Sequence, residues 1–311
     1  MNWTPTIKGF KSYLQLERSL SKNSVENYLR DVQKLVDFLE IHQLDLSIQE
    51  VKVDHLIQFV QWINAIGLGA NSQARIISGI KTFYKFLLVE DMVDANPMQR
   101  LDSPKLKRKI PAVLSYSEIQ AMLATIDLSQ AHGLRNRAML ETLYACGLRV
   151  SELINMRVSH FYPQVAYIKV IGKNDKERIV PIGEEAIKHI QFYIQHVRNQ
   201  QDNIHPEHEN FLFLNRRGKK LSRIMVFKIV KEAATLAEIV KNVSPHTFRH
   251  SFATHLVEGG ADLKAVQDML GHESIITTEI YTHLDTDYLR ETIMTFHPRN
   301  KKQEIAQEDE E

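Results

Sequence analysis

Residues 244–281 hold the side chains of this chain whose types and spacing could do chemistry. The stretch opens Ser-Pro-His-Thr-Phe-Arg-His-Ser-Phe-Ala-Thr-His, passes Gly259-Gly260, continues to Met-Leu-Gly-His272 and ends at Tyr281. His246 and Arg249 stand three residues apart, which puts both on one face of a helix. Ser244 suits the N-cap of that helix and Pro245 its first position. His246 then falls in the first turn, where free N–H groups and the helix dipole favour an anion. Arg249 offers a forked cation that matches phosphate oxygens. The glycine pair ends this helix. A second short helix is expected over residues 262–270, broken at Gly271, with His272 at its exit. Two histidines, an arginine and a phenol, with no cysteine or carboxylate cluster among them, suit a phosphodiester. His250 and His255 lack such support and read as satisfied structural histidines.

No metal or other cofactor is expected. A zinc reading of His246, His250 and His255 fails because no His-Glu-x-x-His pattern is present and Arg249 would repel a dication. Cys146 is the only cysteine, so an internal disulfide is excluded and a reducing cytoplasm fits. Cys146 itself reads as a small buried apolar residue. No apolar run approaches the roughly 18 residues of a membrane helix. The first residues lack the pattern of a signal peptide. The expected setting is cytoplasmic, with no membrane partner.

The elements that must position these residues divide the chain in two. The length of 311 residues allows two domains. Residues 1–102 read as all helix. Thr4-Pro5 opens the first helix, and Asn23 with Glu26 suggests a capping box for the second. The third is expected over residues 53–65, and Asn71 is the expected cap of the fourth, which carries Lys81 and Lys85. Two prolines and four cations (Lys105, Lys107, Arg108, Lys109) mark a linker over residues 103–112. Beyond it, Ser115 and Glu118 make a capping box. A helix over residues 133–145 ends at Gly147, and Arg149 and Glu152 open a short one. Residues 165–171 and 177–182 read as a hairpin around Gly172-Lys173-Asn174-Asp175. Residues 211–214 are the candidate third strand. Helices near residues 183–199, 222–237 and 285–295 complete the set, and a polar acidic tail follows from 299.

Net charge is +1, but without the last thirteen residues 36 bases face 33 acids. The linker cations, Lys81 and Lys85, and Arg216 and Arg217 are the candidate phosphate contacts. The local rival is a solvated basic surface.

Arg149 in Gly-Leu-Arg-Val-Ser-Glu-Leu, Lys173 in Gly-Lys-Asn-Asp-Lys-Glu-Arg, His246-x-x-Arg249, Leu-Gly-His272 and Tyr281 resemble, in order and approximate spacing, the active-site set of the tyrosine recombinases, the phage integrase family. Each motif alone is weak; six in order are specific. The likeness spans nearly residues 1–298. The wording Ser-Pro-His-Thr-Phe-Arg-His-Ser-Phe-Ala-Thr-His-Leu and Ile-Tyr-Thr-His-Leu resembles the members that resolve chromosome dimers.

The resemblance implies a multi-domain, mainly α protein. A helical N-terminal core-binding domain (1–102) joins, through the basic linker, a mostly helical α/β catalytic domain (113–298) with a small antiparallel sheet. It implies that the domains clamp a double-stranded recombination site. It further implies a tetramer with a related recombinase, a Holliday-junction intermediate, a last helix docked on a neighbouring subunit, and a DNA translocase as a possible kind of activator. Tyr281 is the implied nucleophile. Arg149, Arg249, His246 and His272 would neutralise or orient the phosphate. Lys173 would protonate the leaving oxygen, with Lys176 as its local rival. Glu152 either fixes the Arg149 guanidinium or serves as a first-turn carboxylate. A mobile-element integrase of the same chemistry and a DNA-binding protein without catalysis are the alternative readings.

Overall fold

Helix caps and glycine stops cut this chain into short amphipathic helices that bury themselves in two separate cores. The computed structural model describes residues 3–101, 104, 112–172, 175–271 and 283–300, with Arg100 and residues 283–287 described by backbone alone. The chain splits into two compact units, Met1–Lys109 and Ile110–Glu311. The fold is mainly helical, with one three-stranded antiparallel sheet among the described residues.

The first unit contains α1 (Thr4–Leu16), α2 (Lys22–Ile41), α3 (Val53–Ala65) and α4 (Ala70–Val89). Val25, Val32, Val36 and Leu39 recur at helical spacing on α2 and are buried, as are Ile76, Ile80, Phe83 and Leu87 on α4. Two caps differ from expectation. Ser21, not Asn23, caps α2, because its backbone is extended (φ −61, ψ 150) and its hydroxyl accepts from the Ser24 N–H. Gly69 precedes α4, so Asn71 lies inside the first turn. Both segments offer several cap residues in a row, and only backbone conformation chooses among them.

The second unit begins with α5 (Tyr116–Ala124), α6 (Ala131–Cys146) and α7 (Val150–Ile154). Then come β1 (Phe161–Tyr162), β2 (Tyr167–Ile171) and β3 (Glu177–Pro181), paired antiparallel in that order. Helices α8 (Glu184–His196), α9 (Arg223–Leu236), α10 (Pro245–Glu258), α11 (Leu263–Leu270) and α12 (His283–Phe296) follow. Helix α6 is central: every residue from Ala138 to Cys146 is buried. Cys146 is among them, with burial pushing its thiol pKa up. The expected third strand is a correction. Phe211 and Leu214 form only single bridges, with Arg157 and Lys220, and the third strand is Phe161–Tyr162. The run Phe211–Leu214 is apolar because all four residues are buried, and periodicity cannot separate such a run from a strand.

Helix α12 places Leu289 and Ile293 in the core of its own unit, whereas the resemblance implies docking on a neighbour. Two residues assigned to the tail are also packed there. Arg299 Nη2 donates to the buried Glu141 carboxylate at 2.6 Å, and Asn300 Nδ2 donates to the Ile293 carbonyl at 3.3 Å. His297 is wholly buried against the rings of Tyr144 and Phe252. Burial pulls its imidazole down to about 3.

Such a group stays neutral in the folded chain while the unfolded chain takes up a proton below about 6.5. Stability from His297 is therefore complete above that value and is lost as pH falls toward 3. His297→Leu is expected to flatten the acid side of the stability curve, removing a slope of up to about 1.4 kcal/mol per pH unit. Denaturant titrations followed by amide exchange in α10 and α12 measure it. An unchanged slope contradicts the assignment.

Candidate active site

The turn after α6 does the first positioning. Gly147 is left-handed (φ 55, ψ 34), and a Cβ there would lie 2.4 Å from the Phe252 ring. Glycine is therefore needed for both conformation and close approach. The turn delivers Arg149 as the N-cap residue of α7. Glu152, three residues on, is buried and accepts from the Arg149 backbone N–H through Oε2 and from Arg149 Nη1 through Oε1, both at 2.8 Å. It acts as capping carboxylate and guanidinium anchor together.

Helix α10 supplies His246 and Arg249. Pro245 stands at its first position and Ser244 forms a reciprocal capping box with Thr247. His246 is exposed in the first turn, and Arg249, one turn deeper, is buried. Arg249 Nη1 donates to the Gly147 carbonyl at 2.9 Å, and its Nη2 donates to Leu270 at 2.7 Å. Arg149 Nη2 donates to the carbonyl of Gly271 at 3.2 Å. Both arginines thus grip the C-terminal end of α11, where carbonyls lack intrahelical partners. Of the two histidines read as structural, His255 is buried with its Nδ1 2.9 Å from the Tyr144 hydroxyl. His250 is half-buried.

A third guanidinium, which sequence reasoning missed, completes the cluster. Arg178 is buried on β3, and its Nη1 and Nη2 donate to the two Glu152 oxygens at 2.8 and 2.9 Å. Its Nε donates to the Met269 carbonyl at 2.8 Å. A signal was present: strand alternation puts residue 178 on the inward face with Val180, and an arginine facing a core calls for a buried anion.

Three guanidiniums around one carboxylate leave two surplus positive charges. Burial would raise the Glu152 carboxyl, but the hydrogen bonds and charge of Arg178, with the hydrogen bonds of Arg149, outweigh it and hold it below the ordinary carboxylate range. Burial, reinforced by the neighbouring Arg149 and Arg178 charges, pulls Arg249 down to about 10. It remains charged at neutral pH, so an incoming anion finds fixed cations already desolvated. Arg149 is the accessible member, its side chain 40% exposed.

Lys173, His272 and Tyr281 lie outside the described residues, as do Lys105, Lys107, Arg108 and Lys109. Next to Lys173, Gly172 N–H donates to the Lys176 carbonyl at 2.7 Å and closes the β2–β3 hairpin. Next to His272, Gly271 is the residue that Arg149 touches. Lys81 is half-buried and Lys85 exposed on α4, and Arg216 and Arg217 are exposed in the turn after Leu214. Among the described residues one group has metal-ligand spacing: His205, Glu207 and His208, with ligand atoms within 4.8 Å of one another. It involves none of the arginine-cluster residues.

The chain belongs to the phage integrase family, whose model matches residues 112–287. The N-terminal SAM-like domain of phage integrases matches residues 7–91. Among curated relatives, Tyrosine recombinase XerD of Chlorobaculum tepidum is 43% identical over 300 residues, covering 96% of this chain and 97% of that protein. Its namesake in Staphylococcus saprophyticus is 42% identical, covering 94% and 98%. Similar folds occur in XerH recombinase bound to its difH substrate before cleavage (TM-score 0.66, 22% identity, 85% and 78% coverage). Lambda integrase bound as a dimer to a core site is similar too (TM-score 0.68, 17% identity, 88% and 96% coverage). By family the protein is a site-specific DNA recombinase. No helix among the described residues is long and apolar enough to cross a membrane.

Proposed function

We propose that this recombinase cuts and rejoins double-stranded DNA through a covalent link between Tyr281 and a 3′ phosphate. The observation that carries the reading is the surplus of cationic charge that Arg149 and Arg249 hold at the Gly271 and Leu270 carbonyls, immediately before His272 and ten residues before Tyr281. A phosphodiester repels nucleophiles, and fixed guanidiniums offset the charge that builds on its oxygens. The Tyr281 oxygen bonds to phosphorus and the bond from phosphorus to the 5′ oxygen breaks. The phenol gives up its proton to solvent, and the departing 5′ oxygen gains one from Lys173. His246 and His272 donate to the same phosphate. The phosphotyrosyl ester retains the energy of the broken bond, so a second 5′ hydroxyl can reverse the step. Neither ATP nor a metal is required.

The full-length similarity to proteins named XerD supports a more specific role. The protein acts in the cytoplasm with a related recombinase in a tetramer, passes through a Holliday junction, and converts chromosome dimers to monomers at cell division. A DNA translocase serves as activator. Residues 1–102 and the cations Lys81, Lys85, Lys105, Lys107, Arg108, Lys109, Arg216 and Arg217 hold the duplex through its phosphates.

Trapping on a nicked suicide substrate, whose cleaved end diffuses away, tests this reading. Fragments of the host chromosome supply the site. Adduct is expected at the same rate with and without excess chelator. Loss of cleavage in chelator favours a metal nuclease, and binding without any adduct favours a silent DNA-binding protein.

A further inference from the structure

The recombinase motifs leave Arg178 without a role, yet it is bonded to both the carboxylate and the helix end that anchor the arginine cluster. Two of its donors take both oxygens of Glu152, the carboxylate that also holds Arg149. Its third donor takes the Met269 carbonyl. The three arginines thus bind three consecutive carbonyls: Arg178 to Met269, Arg249 to Leu270 and Arg149 to Gly271. These are the last carbonyls of α11 and the glycine that ends it. Gly271 is left-handed (φ 63), and a Cβ there would lie 3.2 Å from Arg178 Cδ. The backbone therefore turns out of α11 directly against the Arg178 side chain, one residue before His272.

We propose that Arg178 is a positioning residue for strand cleavage. Its planar fork fixes the Glu152 carboxylate, and through it the Arg149 guanidinium. Its Nε fixes the end of α11, and through it the point from which the chain departs toward His272. Arg178 is buried and all three of its guanidinium nitrogens are engaged within the protein, which sets it apart from Arg249, whose hydrogen bonds use the two Nη atoms. A lysine carries the same charge but cannot bridge two carboxylate oxygens and a carbonyl at once.

The proposal rests on the assignment of Arg149 to the scissile phosphate, and the test separates the two. Arg178→Gln and Arg178→Lys are assayed in the full chain for binding and for single-turnover adduct formation on the suicide substrate. Binding is expected within about threefold of the parent. Cleavage is expected to fall about 10–100-fold, the range for residues that orient a functional side chain from behind. The loss is expected in both variants, because charge without the fork does not suffice.

The decisive readout is a substrate whose scissile phosphate carries a methyl group in place of one non-bridging oxygen. That phosphate is neutral and needs less cationic help. The defects of Arg178→Gln and of Arg149→Lys are both expected to shrink to a few-fold on it. A merely structural role leaves the Arg178 defect equally large on both substrates, which overturns the proposal. So does wild-type cleavage by either Arg178 variant. An Arg149→Lys protein that cleaves normally refutes the reading of the site instead. Should Arg178→Gln not fold, Glu152→Gln/Arg178→Gln removes both charges of the pair and takes the same assay. It is expected to cleave less than about tenfold more slowly than Glu152→Gln alone, because the Glu152 contact is already lost and only the Met269 contact remains to lose. A further loss of about a hundredfold or more overturns the proposal.

Discussion

Arg249→Lys is expected to bind the recombination site within about tenfold of the parent and to cleave it at least about a thousandfold more slowly. Binding survives because affinity for DNA is spread over many phosphate contacts, of which this is one. Cleavage does not, because losing one preorganised donor to developing charge typically costs about 10²–10³-fold. Here the loss goes further. Arg249 also joins the turn after α6 to the end of α11, by its bonds to the Gly147 and Leu270 carbonyls. A lysine can keep one of those bonds at most, so the phosphate contact and the link between the two segments weaken together. Thermal melting of the variant, followed by circular dichroism, separates this effect from global unfolding. A folded Arg249→Lys protein that cleaves within tenfold of the parent contradicts the role assigned to this side chain.

Tyr281→Phe is expected to give the largest effect: normal binding and no detectable adduct. Phenylalanine keeps the ring and removes only the atom that forms the bond to phosphorus. Neither of two other potential nucleophiles among the described residues is available to replace it. The one cysteine, Cys146, is wholly buried, and burial pushes its thiol up, far from the reactive thiolate form. The described acidic residue of the cluster, Glu152, has its oxygens taken by Arg149 and Arg178. Gel-shift binding measured beside adduct formation reads both outcomes in one sample.

Much of the frame that carries the cluster was legible in the sequence, for identifiable reasons. Ser244-Pro245 gives a strong helix start, Gly147 and Gly271 give left-handed stops, and the hairpin carries turn chemistry between two apolar runs. These signals are local. What stayed hidden depends on partners far away in the chain. Phe211–Leu214 reads as a strand and is not one, because burial and strand pairing leave the same mark on a short apolar run, while the two-residue strand Phe161–Tyr162 is too short to leave any. The role of Arg178 is illegible in the sequence because a lysine-rich hairpin reads as exposed, and its partners lie 26 residues away at Glu152 and 91 away at Met269. The packing of Arg299 and Asn300 was likewise invisible: a polar stretch reads as tail until a buried Glu141 is found waiting for it.

The central claim is that cations fixed by α7 and α10 hold a phosphate for attack by one particular phenol. The most direct measurement is to trap the protein on a nicked site, digest the adduct, and identify by mass spectrometry the residue that carries the nucleotide. The account predicts a single 3′-phosphonucleotide attached to the oxygen of Tyr281, absent from Tyr281→Phe and sharply reduced in Arg249→Lys. Attachment to any other residue, or cleaved DNA bearing no peptide at all, would contradict it.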